Sequence, residues 1–184
     1  MGFLLFVGGV ALIVWAIVES SRKKNPAAVG TELAAALSRG DGDKSRKALS
    51  QLPGWKIVER LRTVADGTCE LRRDAMLASQ AGVPADTLTR LYTAIGRNEE
   101  IVVAVARKVA ALGEQSGGRF RKLPPAARQL LDQDVARLDE ISRASRTVRS
   151  SLQVATASLH AGAGAARADA LEAVGRALYE LSTS

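Results

Sequence analysis

The chain has 184 residues, which is enough for one domain with an appendage and too few for two catalytic domains. Aromatic residues make up 4%, and the richness in alanine favours helices packed through small side chains over a β-sandwich or a β-barrel. A single cysteine and a single histidine exclude an intramolecular disulfide, a thiolate zinc site and a multi-histidine metal centre, whereas the net charge of +7 favours anionic partners.

The first predicted element is an apolar segment at the N-terminus. Residues 3–18 contain no charged or strongly polar side chain, and with Gly2 they would form about 26 Å of helix, barely enough to cross a hydrocarbon core. Arg22, Lys23 and Lys24 follow directly, and the positive-inside rule places such a flank in the cytoplasm. We therefore expect residues 1–19 to form an uncleaved transmembrane anchor with its N-terminus outside, in a single-pass protein of the cell membrane.

The pattern of residues 20–54 predicts a basic juxtamembrane segment with short helices. Asn25 and Pro26 are typical of the cap and the first position of a helix. A turn cluster at residues 40–43 precedes a second short helix, which ends before the Pro-Gly break at residues 53–54. This segment is thus expected to link the anchor to the rest of the chain.

The remaining residues, 55–184, predict a cytoplasmic helical bundle. Apolar side chains recur at alternating steps of three and four residues, as in coiled coils. The three long predicted helices carry these seams over residues 55–81, 88–112 and 127–159. Asp86 or Thr87 is the expected cap of the second long helix, and a shorter amphipathic helix follows the third. Because short Gly/Pro loops join long helices, the predicted fold class is all-α: a transmembrane helix followed by an elongated antiparallel bundle with coiled-coil-like seams.

Three seam positions are polar: Asn98, Asp134 and Ser145. A buried polar residue in a coiled-coil seam often fixes the register of the helices at some cost in stability, and this is the interpretation for Asn98. A buried carboxylate without a partner is costly. We therefore expect Asp134 to face a basic residue of a neighbouring helix, or its end of the seam to be wet.

The residues that usually carry catalysis are scarce. Cys69 has no local cationic cluster, and His160 has no base or metal partner in the sequence, so an inert thiol and a helix-end histidine are expected. The sequence contains no Walker A loop, no Rossmann glycine pattern and no GxSxG motif. These observations predict a protein that is not an enzyme and that holds no cofactor and no metal.

Two groups of basic residues are the candidate contacts for an anionic partner. The first group lies near the start of the third long helix, and the second recurs every three residues along it: Arg119, Arg121, Lys122 and Arg128, and then Arg143, Arg146 and Arg149. A solvated face with ion pairs to other helices is the alternative for the second group. Acidic residues interrupt both groups, which argues against nucleic acid and leaves anionic lipid open.

These patterns together favour a non-enzymatic, membrane-anchored scaffold or adaptor. Its cytoplasmic bundle would be presented to a protein partner, or to further copies of the chain. The alternative is a basic bundle surface that binds anionic lipid or nucleic acid near the membrane. Both functions are predictions from the sequence.

Overall fold

The computed structural model describes residues 26–117, 120–161 and 164–183. Within these residues the chain forms six α-helices and one short 3-10 helix, with no strand. The α-helices are α1 Pro26–Ser38, α2 Gly42–Leu49, α3 Trp55–Gln80, α4 Ala85–Gln115, α5 Pro125–His160 and α6 Gly164–Thr183, and the 3-10 helix is Phe120–Lys122. The predicted all-helical fold and helical bundle are thereby confirmed.

The helix ends follow from backbone hydrogen bonding. After α3, Gly82 takes a left-handed conformation with φ of 86° and donates its N–H to the carbonyl of Ser79, while the N–H of Val83 bonds to Ala78. This arrangement satisfies carbonyls that the helix end would otherwise leave unpaired. The start of α4 differs from the prediction of Asp86 or Thr87 as the cap. Its N-cap is Pro84, whose extended backbone turns the chain, so the helix begins two or three residues earlier.

The three long helices run up, down and up, so that α4 is antiparallel to α3 and α5. The two short elements α1 and α6 lie at opposite ends of this trio. Helix α1 packs mainly on α4, with α2 between α1 and α3, whereas α6 packs mainly on α5 and also on α4. Helix α5 alone has 36 residues, which corresponds to about 54 Å. The described bundle is therefore elongated.

The interior of the bundle consists of two apolar cores. The first core joins α1 and α2 to the N-terminal halves of α3 and α5 and the C-terminal half of α4; its fully buried leucines are Leu33, Leu37, Leu49, Leu61 and Leu138. The second core joins the opposite halves of these helices to α6 through Leu71, Leu91, Ile95 and Leu152. Burial of each such side chain contributes about 1.5–3 kcal/mol. Helices α1 and α2, from the predicted juxtamembrane segment 20–54, share one core with the long helices.

The predicted seams of the long helices are largely the buried faces. In α4 the seam from Leu91 to Val109 is buried, and its ends, Leu88 and Leu112, are half-buried. In α5 the seam residues from Leu138 to Ala155 are buried as well. Apolar periodicity therefore located the core-facing side of each long helix correctly.

No helix within residues 26–117, 120–161 and 164–183 combines the length and the apolar character that membrane crossing requires. The longer helices among them carry charged side chains at short intervals along their outward faces. On this finding the predicted single-pass location in the cell membrane is corrected. The predicted anchor, residues 1–19, and its orienting residues Arg22, Lys23 and Lys24 lie outside the described residues.

Candidate functional site

A belt of buried polar side chains separates the two apolar cores. We call it the polar waist, and it consists of Thr68, Asn98, Ser142 and Ser145. The Nδ2 of Asn98 donates a hydrogen bond to the Oγ of Ser145 over 3.3 Å, and the Thr68 hydroxyl bonds to the carbonyl of Val64 over 2.8 Å. Two of the polar seam positions from the sequence thus meet each other across α4 and α5, where they are 2% and 3% exposed.

The third polar seam position lies in the first core's half of the bundle. Asp134 accepts a hydrogen bond from the Nζ of Lys108 on α4 over 2.7 Å, and its side chain is mostly buried. The expected basic partner on a neighbouring helix is confirmed. Because Lys108 itself is 41% exposed, the pair bridges α4 and α5 at the surface of the groove between them.

The polar waist reaches solvent on both sides of the bundle. On one side lies the α3/α5 cleft of about 290 Å³, lined by Gly67 and Glu70 of α3 and by Ser145 and Arg146 of α5, among others. On the other side lies a smaller opening of about 170 Å³, the Asn98 pocket. Its lining residues are Arg97, Asn98, Glu100, Ile101, Arg137, Ile141 and Leu181. Asn98 and Ser145 therefore link two solvent-facing openings through the interior.

Charged groups in the α3/α5 cleft are engaged with one another. Arg149 pairs with both Glu70 and Asp74 of α3, the latter over 2.9 Å. Arg146 donates to the carbonyl and the hydroxyl of Ser142, one turn earlier on its own helix. The ion pairs of Arg149 hold α5 against α3, and Arg146 is engaged within α5.

The predicted basic ridge is divided between different surfaces. Arg146 and Arg149 line the α3/α5 cleft, whereas Arg143 is exposed and its Nε donates to the carbonyl of Asp139 over 3.4 Å. The ion pairs of Arg149 match the alternative in which this helix face is held by cross-helix pairs. The three arginines do not form one continuous cationic face.

The other basic group lies around the 3-10 helix. Arg119 lies outside the described residues, and Arg121 and Lys122 belong to the 3-10 helix, where Lys122 is exposed. The Nε of Arg128 donates to the carbonyl of Leu123 over 3.1 Å. Phe120 is half-buried and packs against the first core.

Cys69 and His160 lie where the sequence predicts. Cys69 is buried as a free thiol, and burial, followed by the negative charges of Asp66 and Glu99, raises its pKa. A protonated buried thiol is a poor nucleophile. His160 ends α5 at the surface, with its Nδ1 2.8 Å from the carbonyl of Thr156. Within the part of the chain that the structure describes, no group of three or more metal-ligating side chains is found.

Sequence analysis missed the surface between α4 and α5 that residues 26–117, 120–161 and 164–183 leave open. Helix α6 covers one half of the groove between these helices and ends at the Asn98 pocket with Leu181. The other half, which we call the α4/α5 half-groove, is bordered by Ile101, Lys108 and Leu112 of α4 and by Leu130 and Asp134 of α5. Leu112 and Leu130 each lie one turn from the Lys108–Asp134 pair, in the same direction along the antiparallel helices. Leu130 is 52% exposed.

A second open surface lies between α3 and α4, on the other side of α4. Helix α1 covers the half of that groove that belongs to the first core. In the other half, the α3/α4 half-groove, Arg72 pairs with Glu99 over 2.6 Å. Met76 lies one turn from Arg72 and Tyr92 two turns from Glu99 in the same direction, and they are 55% and 38% exposed. Apolar residues off the main seam were the sequence signal for both surfaces.

Comparison with known proteins found no matching family model, no matching curated protein and no matching solved structure. Function is therefore inferred from the geometry of the chain itself.

Proposed function

We propose that this helical bundle is a non-enzymatic scaffold or adaptor that binds a protein partner in its half-grooves. The observation that carries the proposal is the division of each groove beside α4 into a covered half and an open half. Helices α1 and α6 cover their halves with apolar side chains such as Leu33 and Val174. A helix from a partner would complete an open half in the same way.

The side chains in the open halves supply the driving force for such binding. Leu130 and Met76 are each about half exposed, and Tyr92 is more than one-third exposed. Burial of the remaining apolar area of each would contribute about 1 kcal/mol. Tyrosine and methionine are also enriched at protein interfaces relative to the rest of the surface.

The interior of the bundle supports binding more than catalysis. The two cores fill the space between the helices, and the charged groups of the α3/α5 cleft pair with one another. The alternative of an anionic lipid or a nucleic acid on the basic residues has weaker support, because Arg149 and Arg128 already have intramolecular partners. A docking role therefore relies on the exposed apolar side chains of the half-grooves.

In-cell photo-crosslinking of the full chain tests this function. A photoreactive amino acid replaces Leu130 or Met76, and matched controls carry it at Asp132 or Lys56, which are exposed on the same helices outside the half-grooves. We expect a discrete protein adduct from Leu130 or Met76 and none from the controls. The captured protein is then purified and titrated against the chain. Equal labelling from the controls, or no adduct from either half-groove, would contradict the proposal.

A further inference from the structure

The two half-grooves differ in the state of their charged groups. In the α3/α4 half-groove, Arg72 and Glu99 neutralise each other. At the inner end of the α4/α5 half-groove, Arg97 and Arg137 both line the Asn98 pocket, and neither forms an ion pair with a carboxylate of the described residues. Glu100 is the single carboxylate among the residues lining this pocket. The inner end of the α4/α5 half-groove therefore holds two guanidinium groups against one carboxylate and has an excess of positive charge.

The Asn98 pocket has the size and the donors for a carboxylate. Its volume of about 170 Å³ is several times the roughly 30 Å³ that one water molecule takes up in the liquid. Arg97 and Arg137 approach from two different helices, and a guanidinium pairs with a carboxylate through two parallel hydrogen bonds. Asn98, whose amide already holds Ser145, forms the polar wall between them. A single acidic side chain entering here would meet two cations and one carboxylate, Glu100, so that attraction exceeds repulsion.

Apolar side chains lie beside the pocket and at the far end of the half-groove. Ile101 stands next to the pocket, and Leu112 lies 11 residues further along α4, a distance of about 16 Å. On α5, Leu130 lies one turn from Asp134 and is 52% exposed. The Lys108–Asp134 pair crosses the middle. A helix of three turns matches this length. Apolar residues toward its two ends would cover the apolar side chains, and a small residue in its middle would fit over the Lys108–Asp134 pair.

Helix α6 shows how a helix packs in the groove between α4 and α5. It lies in the covered half of the same groove and buries Ala170, Val174 and Leu178 before it reaches the pocket at Leu181. We propose that the α4/α5 half-groove binds an acidic amphipathic helix of a protein partner, whose apolar stripe covers Ile101 and Leu130 and whose carboxylate enters the Asn98 pocket. This inference rests on the proposed docking function and names the surface and the chemistry of the partner.

Two synthetic helical peptides provide the probe. Both are about 16 residues long, with leucines at spacings of three and four residues; one carries glutamate at both ends and the other glutamine. Fluorescence anisotropy measures their binding to the full chain. We expect the glutamate peptide to bind at least about tenfold more tightly than the glutamine peptide, because a charge-assisted hydrogen bond is worth about a factor of ten.

Variants of the chain locate the binding. Arg97→Gln and Arg137→Gln are each expected to weaken the glutamate peptide about tenfold, and Leu130→Ser to weaken both peptides. The matched controls Arg143→Gln and Val154→Ser, which are exposed on α5 outside both half-grooves, should leave both affinities unchanged. Circular dichroism verifies that every variant remains helical.

The inference is overturned by equal affinity for the two peptides, by no binding of either, or by binding that Met76→Ser removes and Leu130→Ser does not. These failures are distinguishable from a failure of the proposed function. A protein adduct from Met76 in cells, together with no preference for the glutamate peptide, would leave the docking function standing and remove the acidic-helix partner.

Discussion

Asn98 and Ser145 form the interior contact on which the polar waist depends. Their hydrogen bond joins α4 to α5 between two apolar cores, where the two side chains are only 2% and 3% exposed. In such a place a broken hydrogen bond costs more than a formed one contributes, because the remaining partner stays buried and unpaired. The pair therefore favours one register of α4 against α5 over registers shifted by a turn.

A double-mutant cycle measures this contact. We expect Asn98→Ala to lower the free energy of unfolding by about 1–3 kcal/mol, from the lost hydrogen bond and the cavity that the shorter side chain leaves. Ser145→Ala should cost less in the Asn98→Ala background than in the wild-type chain, with a coupling of about 0.5–1.5 kcal/mol. Urea unfolding followed by circular dichroism provides the measurement, with Gln133→Ala as the exposed control. Additive losses would mean that the two side chains do not interact.

Cys69 gives a prediction with a defined pH dependence. Burial and the neighbouring carboxylates raise the pKa of its thiol above its ordinary value of 9.0. The unfolded chain therefore loses this proton at lower pH than the folded chain does. The resulting contribution to stability is complete below pH 9 and is lost as the pH rises through the folded pKa.

Comparison with a chain that lacks the thiol isolates this effect. We expect the difference in unfolding free energy between the wild-type chain and Cys69→Ala to be constant at neutral pH. As the pH rises from about 8 to 10, the unfolding free energy of the wild-type chain should fall relative to that of Cys69→Ala. Urea titrations of both chains at each pH measure it. A difference that does not change over this range would contradict a raised thiol pKa.

Two glycines within helices, Gly67 and Gly113, affect the stability of their helices in opposite ways. A Cβ at Gly67 of α3 would meet no other atom within 4 Å, since this glycine borders the open α3/α5 cleft. At Gly113, near the end of α4, a Cβ would collide with the ring of Pro53 in the loop before α3. Gly113 thus permits close packing of that loop, whereas Gly67 only weakens its helix.

Alanine substitutions should therefore have opposite signs at these two positions. We expect Gly67→Ala to raise the free energy of unfolding by about 0.5–1 kcal/mol, because alanine has the higher helix propensity. Gly113→Ala should lower it by about 1–3 kcal/mol through overpacking against Pro53. Thermal and urea unfolding of the two variants, with the wild-type chain alongside, provide the comparison. Stabilisation by Gly113→Ala would show that the loop moves freely away from α4.

The elements themselves could be predicted from the sequence, but their neighbours could not. Apolar spacing is a local property, so it identified the buried faces of α4 and α5 and the polar positions within them. The pairing of Arg149 with Glu70, 79 residues away in sequence, depends on how far α5 slides along α3, and local periodicity carries no such information. The same holds for α1 and α6, whose positions at opposite ends create the half-grooves. The sequence indicated that Asp134 would face a basic residue of a neighbouring helix, but it did not identify that residue as Lys108.

At the scale of the whole molecule, two apolar cores share three continuous helices. Helices α3, α4 and α5 pass through both cores and through the polar waist between them, whereas α1 and α6 each belong to one core. Loss of either core removes packing from all three long helices. The bundle is therefore expected to unfold as one cooperative unit.

Substitutions in each core test this cooperativity. We expect Leu61→Ala in the first core and Leu152→Ala in the second to lower the free energy of unfolding by about 2–5 kcal/mol each. Under stabilising conditions, Leu152→Ala should accelerate amide hydrogen exchange in α1 as well as in α6, because global unfolding becomes more frequent. Mass spectrometry of peptides from the two helices reads this directly. Acceleration confined to α6 would mean that the two cores unfold separately.

The central claim is that the open halves of the grooves are docking sites for a partner's helix. Hydrogen exchange of the full chain, measured with and without the protein captured by crosslinking, tests it most directly. We predict slower exchange in residues 101–112 and 127–137, which border the α4/α5 half-groove, and unchanged exchange in residues 56–66 of α3. Protection restricted to the Arg143 surface, or no protection in either half-groove, would contradict this account of the protein.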